Sequence, residues 1–246
     1  MGTALIIGGT GGVGYEISKL LSGHGVRIFA TYHEDRAKAD EMKGSFPGCE
    51  VLQCDVRDEE NVRETVGAVL CESTGIDILV NCVASGLKLK LFESLTAEEF
   101  NDDINTILMG SVNVYRQVVP IMKKQKTGVM INLLTSAIID FPKRMSSYIT
   151  AKSGLLGLSK SLSSELGQFN LRVVGISPYF IWTDLLKAFP EKLLEMEKNK
   201  IIQPEHIARV VLKVVTDAPR YPNGANLVLH SRQDVLKELG EVELER

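Results

Sequence analysis

Short apolar runs alternate along the chain with longer segments whose apolar residues recur every three or four positions. Seven runs are short and nearly unbroken, which is typical of strands buried on both faces. They cover residues 4–7, 26–31, 50–54, 78–81, 129–134, 172–177 and 226–230. The stretches between them, for example 15–22, 37–43 and 60–70, have the spacing of amphipathic helices. This alternation predicts an α/β fold: a doubly wound, mostly parallel sheet of about seven strands with helices on both faces.

Two local patterns add to this outline. Thr96 and Glu99 form a capping-box pattern that opens a long helix toward Pro120. In the segment 183–202, leucines, a phenylalanine and a methionine lie among lysines and glutamates. This segment is either a helical flap over a substrate site or a surface helix packed on the body, and the sequence leaves both interpretations open. Because no linker, repeat or low-complexity tract interrupts the chain, we predict a single domain over 1–246.

The composition excludes several classes of protein. Hydrophobic residues make up 44% and charged residues 24% of the chain, as in ordinary globular proteins. A net charge of −3 gives no electrostatic case for binding nucleic acid or an anionic membrane. No apolar stretch approaches the roughly 20 residues that span a bilayer, and the four cysteines lack metal-ligand spacing. We therefore expect a soluble, cytoplasmic protein with reduced thiols and no metal site.

A turn rich in glycine follows the first predicted strand and precedes a helix. It reads Gly8-Gly9-Thr10-Gly11-Gly12-Val13-Gly14. Missing side chains let the backbone approach a pyrophosphate, and a helix N-terminus supplies free N–H groups and a positive dipole end. Both G-x-G-x-x-G (Gly9, Gly11, Gly14) and G-x-x-x-G-x-G (Gly8, Gly12, Gly14) fit, whereas no Lys-Ser/Thr pair follows to make a P-loop. The position at the first strand–helix junction favours dinucleotide binding.

The end of the second predicted strand bears on the choice of nicotinamide cofactor. An acidic residue there binds the ribose 2′-OH of NAD and repels the 2′-phosphate of NADP. Here Thr31 can donate to a phosphate, and His33 and Arg36 can neutralise one. Glu34 and Asp35 would select NAD if they turned inward. The balance favours NADP, with NAD as the alternative.

Tyr148 and Lys152 lie four residues apart at the head of an amphipathic segment, so they share one face of the predicted helix. A phenol has a pKa of about 10, and a neighbouring cation favours the phenolate and lowers that pKa. Such a tyrosine can exchange a proton with an oxygen while hydride moves at the adjacent carbon. The spacing alone is more often surface decoration, so this interpretation depends on the other motifs.

Six motifs occur in the order of a known family. They are Gly8-x-x-x-Gly12-x-Gly14, Cys54-Asp55-Val56, Asn81-Cys82-Val83-Ala84, Asp103-Ile104-Asn105, Tyr148-x-x-x-Lys152 and Pro178-x-x-x-x-Thr183. On these motifs the chain resembles the short-chain dehydrogenase/reductases over nearly its whole length. The runs 132–166 and 203–208 are most similar to the 3-oxoacyl-acyl-carrier-protein reductase branch. The resemblance implies a Rossmann fold and selects Gly8, Gly12 and Gly14 from the two glycine spacings.

The resemblance also implies a cofactor site. Asp55 would meet the adenine amino group with Val56 beside the ring, Asn81 would buttress the sheet, and Ile181 and Thr183 would contact the nicotinamide and its carboxamide. With the residues argued above, the predicted cofactor site comprises Gly8, Thr10, Gly12, Val13, Gly14, Thr31, His33, Arg36, Asp55, Val56, Asn81, Tyr148, Lys152, Pro178, Ile181 and Thr183.

The implied catalytic group contains one departure from the family. Tyr148 would be the general acid in reduction, Lys152 would also bind the nicotinamide ribose, and Asn105 would hold a water that links Lys152 to solvent. The family's serine, thirteen residues before the tyrosine, is Thr135 here. A threonine hydroxyl can make the same hydrogen bond, although its methyl group crowds the pocket. Ser136 could serve if the strand end shifts by one residue.

Two further departures concern space near the cofactor. Ala84 and Tyr179 stand where the family usually has glycine. Their bulk could narrow the site or reorient the nicotinamide, which puts rate and substrate in question but leaves the fold intact.

The sequence therefore predicts an NADP-dependent oxidoreductase that reduces a ketone to a secondary alcohol, with a 3-oxoacyl intermediate as the substrate class. The alternatives are an NAD-dependent secondary-alcohol dehydrogenase and a catalytically impaired, cofactor-binding regulatory protein. Enoyl reduction is disfavoured, because the family's enoyl reductases space their Tyr and Lys seven apart and Leu155 stands there.

The expected partner is a small-molecule carbonyl substrate. The loop 138–145 is apolar with two cations, which suits an acyl chain on the phosphopantetheine arm of a carrier protein; a plain surface loop is the alternative. The family also implies a homodimer or homotetramer.

Overall fold

The computed structural model describes residues 2–46 and 48–241. Seven parallel strands form one sheet in the order β3-β2-β1-β4-β5-β6-β7. They are β1 (Thr3–Ile7), β2 (Arg27–Tyr32), β3 (Cys49–Gln53), β4 (Ile78–Asn81), β5 (Gly128–Leu133), β6 (Leu171–Pro178) and β7 (Asn226–Leu229). The predicted fold class is confirmed, and each predicted strand agrees with the observed one to within one residue at either end.

Helices cover both faces of this sheet. They are α1 (Gly12–Gly23), α2 (Arg36–Met42), α3 (Glu59–Glu72), α4 (Ala97–Asp103), α5 (Gly110–Gln125), α6 (Ala137–Asp140), α7 (Ser146–Leu166), α8 (Glu191–Glu197), α9 (Pro204–Thr216) and α10 (Arg232–Leu239). Alternate residues of each strand enter two separate cores: Leu5 and Ile7 pack with α3, α5 and α7, whereas Ala4 and Ile6 pack with α1, α2 and α9. Both faces of β1 are therefore apolar, which explains its unbroken hydrophobic run.

The strand order reverses beside β1, which pairs with β2 on one side and β4 on the other. Connections from this point lead to opposite faces, and a crevice opens outside the carboxyl ends of the strands. The glycine turn follows β1 at this edge, and the segments after β4, β5 and β6 meet there as well.

The predicted capping box is present. The Thr96 hydroxyl accepts a hydrogen bond from the Glu99 amide, and the Glu99 carboxylate accepts one from the Thr96 amide, each at 3.1 Å. The helix it opens continues through a π-helical stretch, Ile104–Met109, into α5, which runs past Pro120 to Gln125. Pro120 lies on the exposed face, where the Arg116 carbonyl that loses its helical donor can reach water.

The segment 183–202 is helical in two short pieces. A 3₁₀ turn, Asp184–Ala188, precedes α8, and Pro190 separates them at the position just before α8. An isolated parallel bridge between Ile181 and Ile202 ties the two ends of the segment together. Among the described residues, no helix is long and apolar enough to cross a membrane.

Candidate active site

A cavity of about 1510 Å³ lies at the carboxyl edge of the sheet. It runs from the glycine turn, past the ends of β4, β5 and β6, to the segment 183–202. Ligand pockets usually measure about 300–1,000 Å³, so this one has room for a dinucleotide and a second molecule together.

The glycine turn packs tightly on itself. Gly8 has φ +72°, a conformation that favours glycine, and its amide donates to the Thr31 hydroxyl at 3.1 Å. A Cβ on Gly14 would overlap the carbonyl oxygen of Gly8. Helix α1 therefore begins at Gly12 directly against the strand end, with its N-terminus at the cavity. This bare cradle of backbone fits a pyrophosphate.

Thr31 has a different place from the one predicted. It is 1% exposed and its hydroxyl accepts from the Gly8 amide, so it fixes the glycine turn from behind instead of facing a phosphate. The prediction failed because the side chain of a strand's penultimate residue points to whichever face the pleat dictates, here inward.

A charged group lies at the ends of β2 and β3. Arg57 donates two side-chain hydrogen bonds to the carboxylate of Asp55, at 2.9 Å from Nε and 2.8 Å from Nη2, and these bonds lower the pKa of Asp55 to about 2. His33 Nε2 lies 3.3 Å from the same carboxylate. Arg36 is largely exposed and pairs with Asp40 at 3.7 Å. Arg57 was not predicted from the sequence, where its signal was its place two residues after Asp55.

Asn81 and Val56 are part of the scaffold around the cavity. The Asn81 amide donates to Ser111 at 2.7 Å and to Tyr115 at 2.9 Å, and its oxygen accepts from the Val83 amide at 3.1 Å. Val56 packs against Gly110, where a side chain would collide with it. Neither residue lines the cavity. Asn81 instead fixes the direction in which the chain leaves β4.

Lys152 is held at the floor of the cavity. It is 2% exposed, and its Nζ donates to the carbonyl oxygens of Val83 at 2.9 Å and Leu133 at 2.7 Å. Burial lowers the pKa of this lysine to about 8. With two of its three donors engaged, the ammonium has one left to point at a ligand.

Tyr148 lies one helical turn away, 5.9 Å from Lys152 Nζ to the centre of the ring, and lines the same cavity. Burial raises the pKa of its phenol, and the negative charge of Asp103 raises it further. The expectation that Lys152 lowers the Tyr148 pKa is not met in this structure, where burial of the phenol has the largest effect and raises the pKa. The phenol is therefore protonated at neutral pH, the form from which a proton donor starts.

Thr135 and Ser136 both line the cavity after β5. The Thr135 hydroxyl accepts from the Ala137 amide at 3.2 Å, which leaves its own hydrogen free to donate. The Ser136 amide donates to the Pro178 carbonyl at 2.8 Å and thereby joins the ends of β5 and β6. Which hydroxyl meets a substrate stays a prediction.

Asn105 is not brought to the site. It is exposed on the π-helical stretch and does not line the cavity, whereas Asp103 and Ile107 on the same helix are buried. Successive helical residues turn by about 100°, so a residue two positions from Asp103 lies on the opposite face. The predicted water-holding role of Asn105 must be corrected for this reason.

Asp103, predicted from the sequence only as part of a motif and without a role at the site, is a buried carboxylate. It is 1% exposed and accepts hydrogen bonds from the hydroxyls of Ser85 and Ser147. Lys88 Nζ lies 3.7 Å from its carboxylate and 2.6 Å from that of Asp102. A carboxylate on the inward face of a predicted amphipathic helix was the available signal.

The far end of the cavity is largely apolar. Its wall includes Leu87, Leu89, Met145, Leu186, Phe189, Leu193 and Leu194. Lys143 and Arg144, from the predicted substrate loop, line the same space. Tyr179, which stands where the family usually has glycine, also lines the cavity. Its ring stacks against Phe180, with ring centres 4.6 Å apart.

Segment 183–202 also reaches the glycine turn. The Thr183 methyl group would lie 3.1 Å from a Cβ at Gly12. Lys38 Nζ, on α2, binds the Asp184 carboxylate at 2.9 Å. Ile181 and Thr183, which follow β6, both line the cavity beside the cradle, and their contact with a nicotinamide stays a prediction.

The chain is similar to known proteins over most of its length. Residues 8–231 match a family model described as enoyl-(acyl carrier protein) reductase. The chain is 31% identical over 231 residues to the 3-oxoacyl-[acyl-carrier-protein] reductase of Chlamydia trachomatis, covering 90% of this chain and 93% of that protein. It is 29% identical over 236 residues to the acetoacetyl-CoA reductase of Shinella zoogloeoides, covering 94% and 97%. Its fold matches that of a 3-ketoacyl-(acyl-carrier-protein) reductase from Brucella melitensis, crystallised with NADH, with a TM-score of 0.87, 22% identity and coverage of 95% and 98%.

Proposed function

Since the chain belongs to the short-chain dehydrogenase/reductase family, we propose that it reduces the ketone of a 3-oxoacyl thioester to a secondary alcohol at the expense of NADPH. One observation carries the proposal: Tyr148 and Lys152 line a single cavity that begins at the glycine cradle and ends in an apolar wall. Relatives that are named for reduction of 3-oxoacyl and acetoacetyl thioesters support the substrate class.

The chemistry divides between the cofactor and the chain. The bound nicotinamide supplies the hydride. Tyr148 donates its phenol proton to the carbonyl oxygen, so that a hydride and a proton together convert the ketone to the alcohol. Thr135 or Ser136 donates a hydrogen bond to the same oxygen. Lys152 offers its remaining N–H to a ribose hydroxyl.

The proposed preference for NADPH rests on the positions of Asp35 and Glu34, the two acidic residues that would otherwise repel its 2′-phosphate. Asp35 caps α2, where its carboxylate accepts from the Lys38 amide at 3.0 Å, and Glu34 has an 85% exposed side chain. Neither is turned toward the cradle as a ribose ligand. Arg57 supplies positive charge at this edge, although Asp55 offsets part of it.

The substrate class follows from the cavity wall. Its apolar side chains suit an acyl chain, and Lys143 and Arg144 suit the phosphate of a phosphopantetheine arm. We further propose that the substrate is bound to a carrier protein. The segment 183–202 would then act as a flap over the substrate on a single domain of residues 1–246. We also propose that the protein acts in the cytoplasm as a homodimer or homotetramer.

The test begins with cofactor binding. Thermal shifts with NADPH and NADH identify the preferred cofactor, and turnover is then measured with acetoacetyl-CoA and with longer 3-oxoacyl thioesters. Tyr148→Phe should lower kcat by about 10²- to 10⁴-fold, the usual contribution of a positioned acid, while its cofactor-induced thermal shift stays. Absence of turnover with every 3-oxoacyl thioester and either cofactor would overturn the proposal.

A second candidate is a regulatory protein that binds the cofactor without turnover, and the exposed position of Asn105 favours it. Turnover that is lost in Tyr148→Phe eliminates this candidate. Enoyl reduction, which the family model's description raises, lacks its lysine: Leu155 occupies the position seven after Tyr148 and is fully buried in the core. An unsaturated acyl thioester should therefore not be reduced.

A further inference from the structure

A line of buried hydrogen bonds crosses the sheet beside the carbonyls that hold Lys152. At its centre is Tyr115, on α5, whose hydroxyl contacts both β4 and β5. The hydroxyl accepts a hydrogen bond from the Asn81 amide at 2.9 Å and donates one to the amide oxygen of Asn132. All three residues are buried. The tyrosine hydroxyl is thus a tie between two neighbouring strands.

The two carbonyls that accept from Lys152 lie close to these asparagines in the chain. The Leu133 carbonyl, 2.7 Å from Lys152 Nζ, belongs to the residue after Asn132. The Val83 carbonyl, 2.9 Å from Nζ, belongs to the residue whose amide donates to Asn81 Oδ1 at 3.1 Å. The spacing of the two acceptors therefore depends on the spacing of the two strand ends, which the tyrosine hydroxyl spans.

The tie lies where backbone pairing between the two strands stops. Asn81 and Asn132 are the last pair of β4 and β5 in register, whereas Leu133 pairs with Ile176 of β6. The Asn81 amide also donates to Ser111, at 2.7 Å, but that hydroxyl donates back to a backbone carbonyl four residues earlier in its own helix. The side chain that joins the two strands here is therefore the tyrosine.

The direction of the hydrogen bonds locks both amides in place. Asn132 accepts through its oxygen and donates through its nitrogen to Ser159, on α7, at 2.8 Å. The Tyr115 hydroxyl has one hydrogen, so it accepts from the amide N–H of Asn81 and gives that hydrogen to the oxygen of Asn132. Without the hydroxyl, an amide N–H and an amide oxygen would lack partners in the core, where such groups cost free energy.

We propose that Tyr115 is a positioning residue for Lys152, since its hydroxyl holds the ends of β4 and β5 at the spacing that the two carbonyl acceptors need. The third N–H of the ammonium then points at the cofactor. This inference rests on the proposed function, in which Lys152 binds a ribose hydroxyl. Tyr115 itself does not line the cavity, so its effect on the cofactor passes through the lysine.

The decisive variant is Tyr115→Phe, which removes the hydroxyl and keeps the buried ring. Binding of NADPH, or of NADH if that is the preferred cofactor, is measured by fluorescence titration without substrate. We expect the Kd of the cofactor to rise about three- to tenfold, the scale of one loosened hydrogen bond.

The same substitution in a Lys152→Met background separates positioning from general damage. Methionine keeps an apolar stem but removes the ammonium, so cofactor binding is already weakened. Tyr115→Phe should then change the Kd by less than about twofold, because the group through which it acts is gone. The thermal midpoint should fall in both backgrounds, since the unpaired amide groups remain.

Tyr221→Phe is the matched control. Tyr221 is buried in the core on the other face of the sheet, donates to Glu238 at 2.5 Å and does not line the cavity. The variant should lower the thermal midpoint and leave the Kd of the cofactor unchanged. Loss of a buried tyrosine hydroxyl would then not in itself weaken cofactor binding.

Three results would refute the role of Tyr115. They are an unchanged Kd in Tyr115→Phe, a loss of affinity by the same factor with and without the Lys152 ammonium, and wild-type affinity in Lys152→Met. If Tyr115→Phe does not fold, Asn132→Ala breaks the same tie from β5 and must meet the same criteria. A wild type that reduces no 3-oxoacyl thioester but shows the lysine-dependent effect refutes the proposed function and leaves the role of Tyr115 intact.

Discussion

Two adjacent hydroxyls, Thr135 and Ser136, compete for the substrate oxygen beside Tyr148. The Thr135 hydroxyl already accepts from the Ala137 amide, which orients its hydrogen outward. Ser136 is 2% exposed, and its backbone joins β5 to β6. The more open hydroxyl with its acceptor side already satisfied is the better donor to a carbonyl.

We therefore expect Thr135→Ala to lower kcat/KM for 3-oxoacyl thioester reduction by about 10²-fold, the scale of one lost transition-state hydrogen bond. Ser136→Ala should change it by less than about threefold, because Ser136 is buried and Thr135 keeps the hydrogen bond to the carbonyl oxygen in this variant. Thr135→Ser, which keeps the hydroxyl, is the control and should retain most of the activity. Steady-state kinetics at saturating cofactor provide the measurement, and the reverse ranking of the two alanine variants would assign the role to Ser136.

At the residue scale, the sequence predicted which residues lie near the site better than it predicted the directions in which their side chains point. Tyr148 and Lys152 meet at one cavity because both are placed by the same helix, where a spacing of four residues has one geometric meaning. Thr31 and Asn105 were misplaced because their direction depends on strand pleat and helix phase, which must be read from all neighbouring positions. The raised pKa of Tyr148 follows first from burial of its phenol, which the tertiary fold determines. The Lys152 ammonium likewise binds backbone carbonyls 69 and 19 residues away in the chain.

Among the elements, the glycine turn and α1 leave the least freedom for substitution. Gly14 lies in the first turn of α1, where its α-carbon faces the carbonyl of Gly8 across the cradle. Gly23, the last residue of the same helix, has no neighbouring atom within 4 Å of where a Cβ would stand. The two positions form a matched pair within one element.

Gly14→Ala should push α1 away from the strand end, because the added methyl group meets backbone rather than a flexible side chain. Overpacking of this kind costs about 1–3 kcal/mol, so we expect a lower thermal midpoint and weaker NADPH binding together. Gly23→Ala should leave both unchanged or raise stability slightly, since alanine exceeds glycine in helix propensity by up to about 1 kcal/mol. Differential scanning fluorimetry with and without NADPH measures both. Equal behaviour of the two variants would show that α1 can move without loss of the cradle.

Local periodicity predicted which strands and helices exist and in what order they occur. It did not predict where a helix changes its hydrogen bonding or breaks. The seven strands were predicted to within one residue because each is a short apolar run between polar segments. The π-helical stretch at Ile104–Met109 and the division of 183–202 into two pieces were not predicted. The first depends on packing against α7, which contacts it closely, and the second on Pro190, which cannot continue the preceding turn's hydrogen bonding.

For the molecule as a whole, an ion pair joins the two sides of the cavity mouth, which are α2 and the segment 183–202. Lys38 on α2 binds Asp184 at 2.9 Å, and Asp184 begins the 3₁₀ turn of segment 183–202. The pair spans 146 residues of chain and crosses beside the glycine cradle. Lys187 binds the same carboxylate at 2.6 Å but stays within the segment. Exposed ion pairs of this kind contribute about 0–1 kcal/mol to the free energy of unfolding. The Lys38–Asp184 pair should therefore change how often the cavity mouth opens more than it changes the thermal midpoint.

Lys38→Ala should therefore leave the thermal midpoint of the free protein nearly unchanged but release NADPH several times faster. The physical reason is that segment 183–202 loses its tie to α2 and opens more often. Stopped-flow fluorescence of bound NADPH gives the rate.

Raising the salt concentration should speed NADPH release from the wild type, because exposed charges are screened over about 10 Å at 0.1 M salt. The same change should have less effect on Lys38→Ala. Lys187→Ala removes a cation from the same carboxylate without breaking the crossing contact and should behave like the wild type. If both variants release NADPH at the same rate, the loss of positive charge near the cofactor, and not the crossing pair, governs its release.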